Sequence, residues 1–167
     1  MTQRRHITAD MPSKRFYFTK AMWLRFWSRP RVEKWLAMQS LIVCLLSVIA
    51  LRLIGFGRWK RILWVSSGGT KLADKGLSRE DIKIAEATYA VVDMVARNIS
   101  GRLITCLPRS LTLWWILRRY GVKAELRLGV RNAGERFAAH AWVVCHGTVI
   151  GEAEHDQFVS FESEALG

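Results

Sequence analysis

Residues 106–131 read CLPRSLTLWWILRRYGVKAELRLGVR, and their hydrophobic period changes once, at Gly121. Before it, apolar side chains crowd Leu107 to Tyr120, and Arg118-Arg119 suit the negative end of a helix dipole. After it, Ala124, Leu126, Leu128 and Val130 alternate with Glu125, Arg127, Gly129 and Arg131, the period of two that a strand requires. Gly121 is a good C′ residue for the helix, because glycine enters the left-handed region without a Cβ penalty.

Working outward, the C-terminal side continues in strands. Asn132-Ala133-Gly134 reads as a turn, Phe137 to Val144 as a second strand, His146-Gly147 as a hairpin turn, and Thr148 to Ile150 as the start of a third strand. The N-terminal side is helical. Ser78 reads as an N-cap with Asp81 three residues on, a weak variant of the capping box. Ile82, Ile84, Ala85, Tyr89, Val92 and Val95 then recur at helical spacing through Asn98. Residues 21–64 also read as helical, with Pro30 at a helix start, Gly55 and Gly57 as punctuation, and a second short helix carrying Trp59 and Trp64. Helices followed by a meander of antiparallel strands make the class α+β. Ser66-Ser67-Gly68-Gly69 is the best internal boundary. It divides a basic, apolar, helical region (1–66) suited to partner or membrane docking from a core (67–167).

The charge follows the same division. The net charge is +12, and residues 1–64 hold 13 Lys/Arg against Asp10 and Glu33, while residues 65–167 are nearly balanced. An anionic membrane surface or an acidic protein partner explains a basic third better than nucleic acid, because no nucleic-acid-binding motif accompanies it. The apolar run Leu36 to Leu51 is shorter than the roughly 20 residues of a spanning helix and is basic on both sides. It reads as a core or interfacial helix ahead of a spanning one. The first thirty residues have no apolar h-region of a signal peptide. Three cysteines at scattered positions, with no CxxC pair, fit a reducing compartment and a cytoplasmic location.

Cys106, His140 and Glu152 carry the chemistry. Cys106 stands where a loop becomes a helix, and the positive end of the dipole and its unpaired N–H groups favour a thiolate and an oxyanion. His140 lies mid-strand between alanines and shares a strand face with Trp142 and Val144. Glu152 follows the hairpin and comes back roughly level with His140, where a carboxylate can fix the imidazole tautomer. Glu154 and Asp156 are rivals for that role. Thiol, imidazole and acid are the parts of a cysteine nucleophile, its base and the group that orients the base. Each also has a plainer reading: a buried structural cysteine, a satisfied core histidine, a surface acid. Cys145-His146 with His155 make a weak metal set, so no metal or other cofactor is expected. Arg109 reads as a structural group, Cys44 as a small buried hydrophobe, and the tryptophans as packing or interfacial anchors.

Cys106-Leu107-Pro108-Arg109-Ser110-Leu111, Leu117-Arg118-Arg119-Tyr120-Gly121-Val122, Leu128-Gly129-Val130-Arg131 and Ala139-His140-Ala141-Trp142-Val143, with the acid after the hairpin, resemble the leader peptidases of lasso-peptide biosynthesis, the B proteins. The likeness covers about residues 79–152. It implies a papain/transglutaminase-like core with a helical N-terminal region, and a triad of Cys106, His140 and Glu152, the family generally having Asp at the third place. It further implies removal of the leader from a ribosomally made precursor peptide. A separate leader-recognition protein and an asparagine-synthetase-like cyclase would be the partners, and the chain resembles the stand-alone peptidase half. The rival readings are a transglutaminase-like acyl transferase, and a non-catalytic membrane- or partner-binding module.

Overall fold

The computed structural model describes residues 31–68, 79–99, 104–133, 136–151 and 158–161. Among the described residues four helices come first: α1 (Arg31–Leu53), α2 (Phe56–Ser66), α3 (Arg79–Asn98) and α4 (Cys106–Arg119). Four strands follow: β1 (Ala124–Ala133), β2 (Arg136–Cys145), β3 (Thr148–Val149) and β4 (Val159–Phe161). The α+β class holds. Ser78, the expected N-cap of α3, lies outside the described residues.

Helix α4 is apolar on nearly every side and is therefore the centre. Leu111, Leu113, Trp114, Trp115, Ile116 and Leu117 are all buried. A helix hydrophobic all round needs cover all round, and α4 receives it from α1, α2 and α3 on one side and from β1 and β2 on the other. Its end is a Schellman turn. Val122 N–H donates to the Leu117 carbonyl at 3.0 Å and Gly121 N–H to the Arg118 carbonyl at 3.0 Å, with Gly121 at φ +78°. That turn delivers the chain into β1, where the sequence places the change of period.

Three tryptophans satisfy their N–H groups within the fold. Trp114 Nε1–H donates to the Ala124 carbonyl, Trp115 Nε1–H to Ser66 Oγ, and Trp59 Nε1–H to Ser47 Oγ, at 3.1, 2.9 and 2.9 Å. A buried indole costs little when its one donor is paired. These three are packing residues, as expected. Leu36, Ala37, Val43 and Leu63 belong to the same hydrophobic cluster as α3, α4 and the sheet. Helix α1, at 23 residues, is long and apolar enough to cross a membrane by length and composition, yet one of its faces forms part of this core. The expected break falls at Gly55, which takes φ +80°, and the second short helix carrying Trp59 and Trp64 is α2.

The sheet order is β3-β2-β1-β4. The meander expected from the sequence accounts for β1, β2 and β3, all antiparallel. Strand β4 was not expected: its three residues cross to the far edge and pair with β1 from Leu128 to Val130. Ala124, Leu126, Val143 and Cys145 turn toward the helices, so their register partners and same-parity neighbours fix which way every other residue faces.

Two left-handed glycines with different surroundings give a stability test. Gly147 (φ +80°) has open space where a Cβ would go, whereas a Cβ on Gly151 (φ +76°) would collide with the Tyr89 ring. Gly147→Ala should lose about 1–2 kcal/mol of folding free energy, the backbone cost alone. Gly151→Ala should lose about 1–3 kcal/mol more, from overpacking. Urea unfolding of both variants checks the difference, and equal losses would contradict the Tyr89–Gly151 contact.

Candidate active site

Cys106 is the first residue of α4 and its side chain is half-buried. Thr105 precedes it in an extended conformation (φ −78°, ψ 179°) and makes no side-chain cap. Pro108 has no N–H, so the helix leaves the Cys106 and Leu107 N–H groups of its first turn for something outside itself. The other two cysteines are different. Cys44 and Cys145 are fully buried. Burial raises the Cys44 thiol pKa, against a smaller lowering by Thr112, whose hydroxyl lies 3.3 Å from the sulfur, and by Arg109. Burial raises that of Cys145 too, helped by the Asp81 carboxylate. Both sulfurs are held as thiols.

His140 stands opposite Gly129 in the β1–β2 register. It shares with Trp142, Gly129 and Arg131 the sheet face turned away from the helices. Its ring is stacked on Trp142 (centroids 6.0 Å apart, planes at 19°) and tilted against Phe158 (5.1 Å, 32°). Gly129 makes room for this: a Cβ there would come within 2.7 Å of the Trp142 ring and 3.0 Å of the Phe158 Cβ. Arg131 closes the group by lying over Phe158, 5.2 Å from its centroid.

The helix of Cys106 and the strand of His140 meet at one buried hydrogen bond. Ser110 Oγ donates to the Ala141 carbonyl at 2.7 Å. Ser110 is four residues after Cys106, on the same helix face one turn away. The Val143 carbonyl accepts from Ile150 N–H on the β3 side, and the Ala141 carbonyl, two residues along, points the same way. Strand β3 reaches no farther than the Val144 and Cys145 pairs, so Ser110 takes up the edge of β2 where β3 stops.

A second chain of contacts ties α3 to the same place. Arg109 pairs with Asp93 (3.0 Å) and its guanidinium lies 5.8 Å from the Tyr89 ring centroid. Asp93 also holds Arg97 at 2.7 Å. Tyr89 packs on Gly151, the last described residue before Glu152. Arg109 is thus a structural group, as read. Glu152, Glu154, Asp156 and His155 lie outside the described residues. Asp81, whose expected capping partner Ser78 lies outside the described residues, sits 3.0 Å from His146 Nε2 and pins the hairpin turn to α3.

Several residues at this site carried no role in the sequence reading. Ser110 had a signal, a hydroxyl one turn from the cysteine in an otherwise apolar helix. Gly129 had one too, a glycine facing the histidine in the strand register. Phe158 had none, because β4 is three residues long and its pairing partner lies about thirty residues back.

The family model described as the transglutaminase-like superfamily matches residues 44–163. No match to a curated protein or to a solved structure accompanies it. The matched span takes in the helix of Cys106, the strand of His140 and the segment after the hairpin, and such a domain fits a cysteine protease or acyltransferase kind of function. By a match that covers well over half of its length, and with a cysteine-headed helix braced against an antiparallel sheet, the chain belongs to the transglutaminase-like superfamily.

Proposed function

We propose that this protein is a cysteine peptidase that removes the leader from a ribosomally synthesised lasso precursor peptide. The observation that carries the reading is the Ser110–Ala141 hydrogen bond, which braces the start of the cysteine-bearing helix beside the histidine-bearing strand. The Cys-Leu-x-Arg-Ser-Leu and Ala-His-Ala-Trp blocks support the finer assignment by resemblance.

In this mechanism the imidazole of His140 accepts the thiol proton of Cys106. The thiolate attacks the carbonyl of the peptide bond between leader and core. The N–H groups at the start of α4 stabilise the tetrahedral oxyanion, aided by the roughly half positive charge of the helix terminus. His140 returns the proton to the leaving amine, which becomes the new N-terminus of the core peptide. Water, deprotonated by His140, then hydrolyses the thioester and frees the leader carboxylate and the cysteine. Glu152 orients the imidazole. A separate leader-recognition protein presents the precursor, and an asparagine-synthetase-like cyclase consumes the freed amine. The mechanism needs no cofactor.

Labelling, cleavage, amine trapping and a Ser110 variant test this. Iodoacetamide labelling followed by peptide mapping should modify Cys106 first, with Cys44 and Cys145 protected while folded, because both are buried and their raised pKa keeps them protonated at mildly alkaline pH. Incubation with a lasso precursor and its leader-recognition protein should yield the free leader by mass spectrometry. Cys106→Ala and His140→Ala should each lower that rate by about a thousandfold or more, and unchanged cleavage by Cys106→Ala would reject catalysis at this site. An added primary amine should not replace water: efficient amide formation in place of hydrolysis would make the protein an acyl transferase. Ser110→Ala should cost about 1–3 kcal/mol of stability, since it orphans a buried carbonyl, and should lower kcat more than it raises KM.

A further inference from the structure

Helix α1 turns mostly small residues inside, together with Leu36 and Val43, and most of its large ones outside. Ala37, Ser40, Cys44 and Ser47 are buried against the core, and the Ser40 hydroxyl donates back to the Leu36 carbonyl at 2.7 Å. The opposite face carries Trp35, Met38, Ile42, Leu45 and Ile49, flanked by Leu41 and Leu46, and each of these side chains is between 38% and 55% exposed. Ile62 and Val65 of α2 are exposed as well. Isolated exposed apolar side chains are ordinary on a protein surface, but a contiguous face of this kind marks a contact surface.

From this face we infer that α1 docks in plane on an anionic lipid bilayer. Charge argues for lipid. The only acid in α1 is Glu33 and α2 has none, whereas Arg31, Lys34 and Arg52 on α1 and Arg58, Lys60 and Arg61 on α2 are basic. A broad apolar face bordered by cations is the chemistry of an interfacial helix on anionic headgroups. The pattern also argues against a helical partner. The spacing 35, 38, 42, 45, 49 is that of a coiled-coil seam, but the flanking positions hold Leu41 and Leu46 where such a seam would carry charges.

A groove of about 480 Å³ opens at the start of this face, lined by Arg31, Val32, Trp35, Gln39, Arg119 and Tyr120. Two guanidinium groups beside a tryptophan and a tyrosine suit a phosphate headgroup at the level where aromatic rings settle in a membrane interface. The helix lies on the bilayer and does not cross it. Spanning would strip α1 from α3 and α4, leaving Ser40 and Ser47 facing hydrocarbon and the core cluster open.

Flotation of the full chain with vesicles tests this independently of catalysis. The wild-type chain should float with phosphatidylcholine vesicles holding about three-tenths phosphatidylglycerol and much less with phosphatidylcholine alone. Salt at about 0.5 M should weaken the binding. Ile42→Glu with Ile49→Glu, both on the exposed face, should leave the thermal unfolding curve unchanged and lower the floated fraction about tenfold. Arg31→Gln with Arg119→Gln should erase the preference for the anionic vesicles. The inference is overturned if the wild-type chain floats with neither vesicle, or if the double glutamate variant floats as well as wild type. It is also overturned if membranes of expressing cells retain the protein after alkaline carbonate. Light scattering that shows a dimer which the double glutamate variant dissociates would assign the face to a second copy.

Discussion

One hydroxyl fixes the relation between the two halves of the fold. A strand edge exposes carbonyl groups that must find donors, and a helix packed on a sheet has no backbone donors to offer from its middle. Ser110 supplies the missing donor from within α4 and spends it on Ala141 at 2.7 Å, in a fully buried setting. The bond does not add much net free energy, since a paired buried hydrogen bond is worth only about 1 kcal/mol. Its importance is directional: among the ways an apolar helix could slide on an apolar sheet, only one puts this hydroxyl on this carbonyl. The first turn of α4, and with it Cys106, is set against β2 by that choice.

The same helix that must be buried must also present a reactive end, and α4 solves this by asymmetry along its length. Its middle, Leu111 to Leu117, is enclosed. Its end is held by Arg118, whose Nε–H donates to Ser67 Oγ and whose guanidinium lies between the Trp64 and Trp114 rings at 5.9 and 5.3 Å. Its start carries a half-buried sulfur and an uncapped first turn. A helix anchored by packing in the middle and by a stacked guanidinium at the end keeps its N-terminal N–H groups in place without using them. Arg109 adds to this by tying the first turn to Asp93 and Tyr89 of α3.

Much of this was legible in the residues because the controlling signals are local. Gly121 marks the change of period, alternation in 124–131 gives the strand, and Cys106 at the mouth of an apolar helix declares a helix start. Pairing at long range was not legible. Three residues at β4 cannot announce a partner, and Phe158 reaches His140 only because that strand crosses to the far edge. Asp81 shows the same limit. A carboxylate in the first turn of a helix is a sound capping signal, but nothing local announces His146, a partner that lies 65 residues away. Helix α1 was read from its apolar content as core or interfacial. The burial pattern puts one face in the core, with Ser40, Cys44 and Ser47 inward, and leaves Trp35, Ile42 and Ile49 outward, and hydropathy averaged around a helix cannot tell those faces apart.

The setting of His140 bears on what a third group has to do in the proposed triad. An imidazole acting as a base needs its ring plane fixed and its tautomer fixed, and these are separate tasks. The ring plane is restricted by packing: Trp142 stacks from the same strand two residues along, Phe158 closes from the segment before β4, and Gly129 keeps the opposite position empty. A carboxylate in such a site has only the tautomer left to set, which requires an acceptor near Nδ1 and not a rigid arm. In the proposed triad the longer side chain of Glu152, where the leader peptidases that the sequence resembles generally have aspartate, then costs only orientation that the aromatic rings already supply. Gly151, the residue just before it, takes the left-handed region against the Tyr89 ring, a place that a Cβ would not fit.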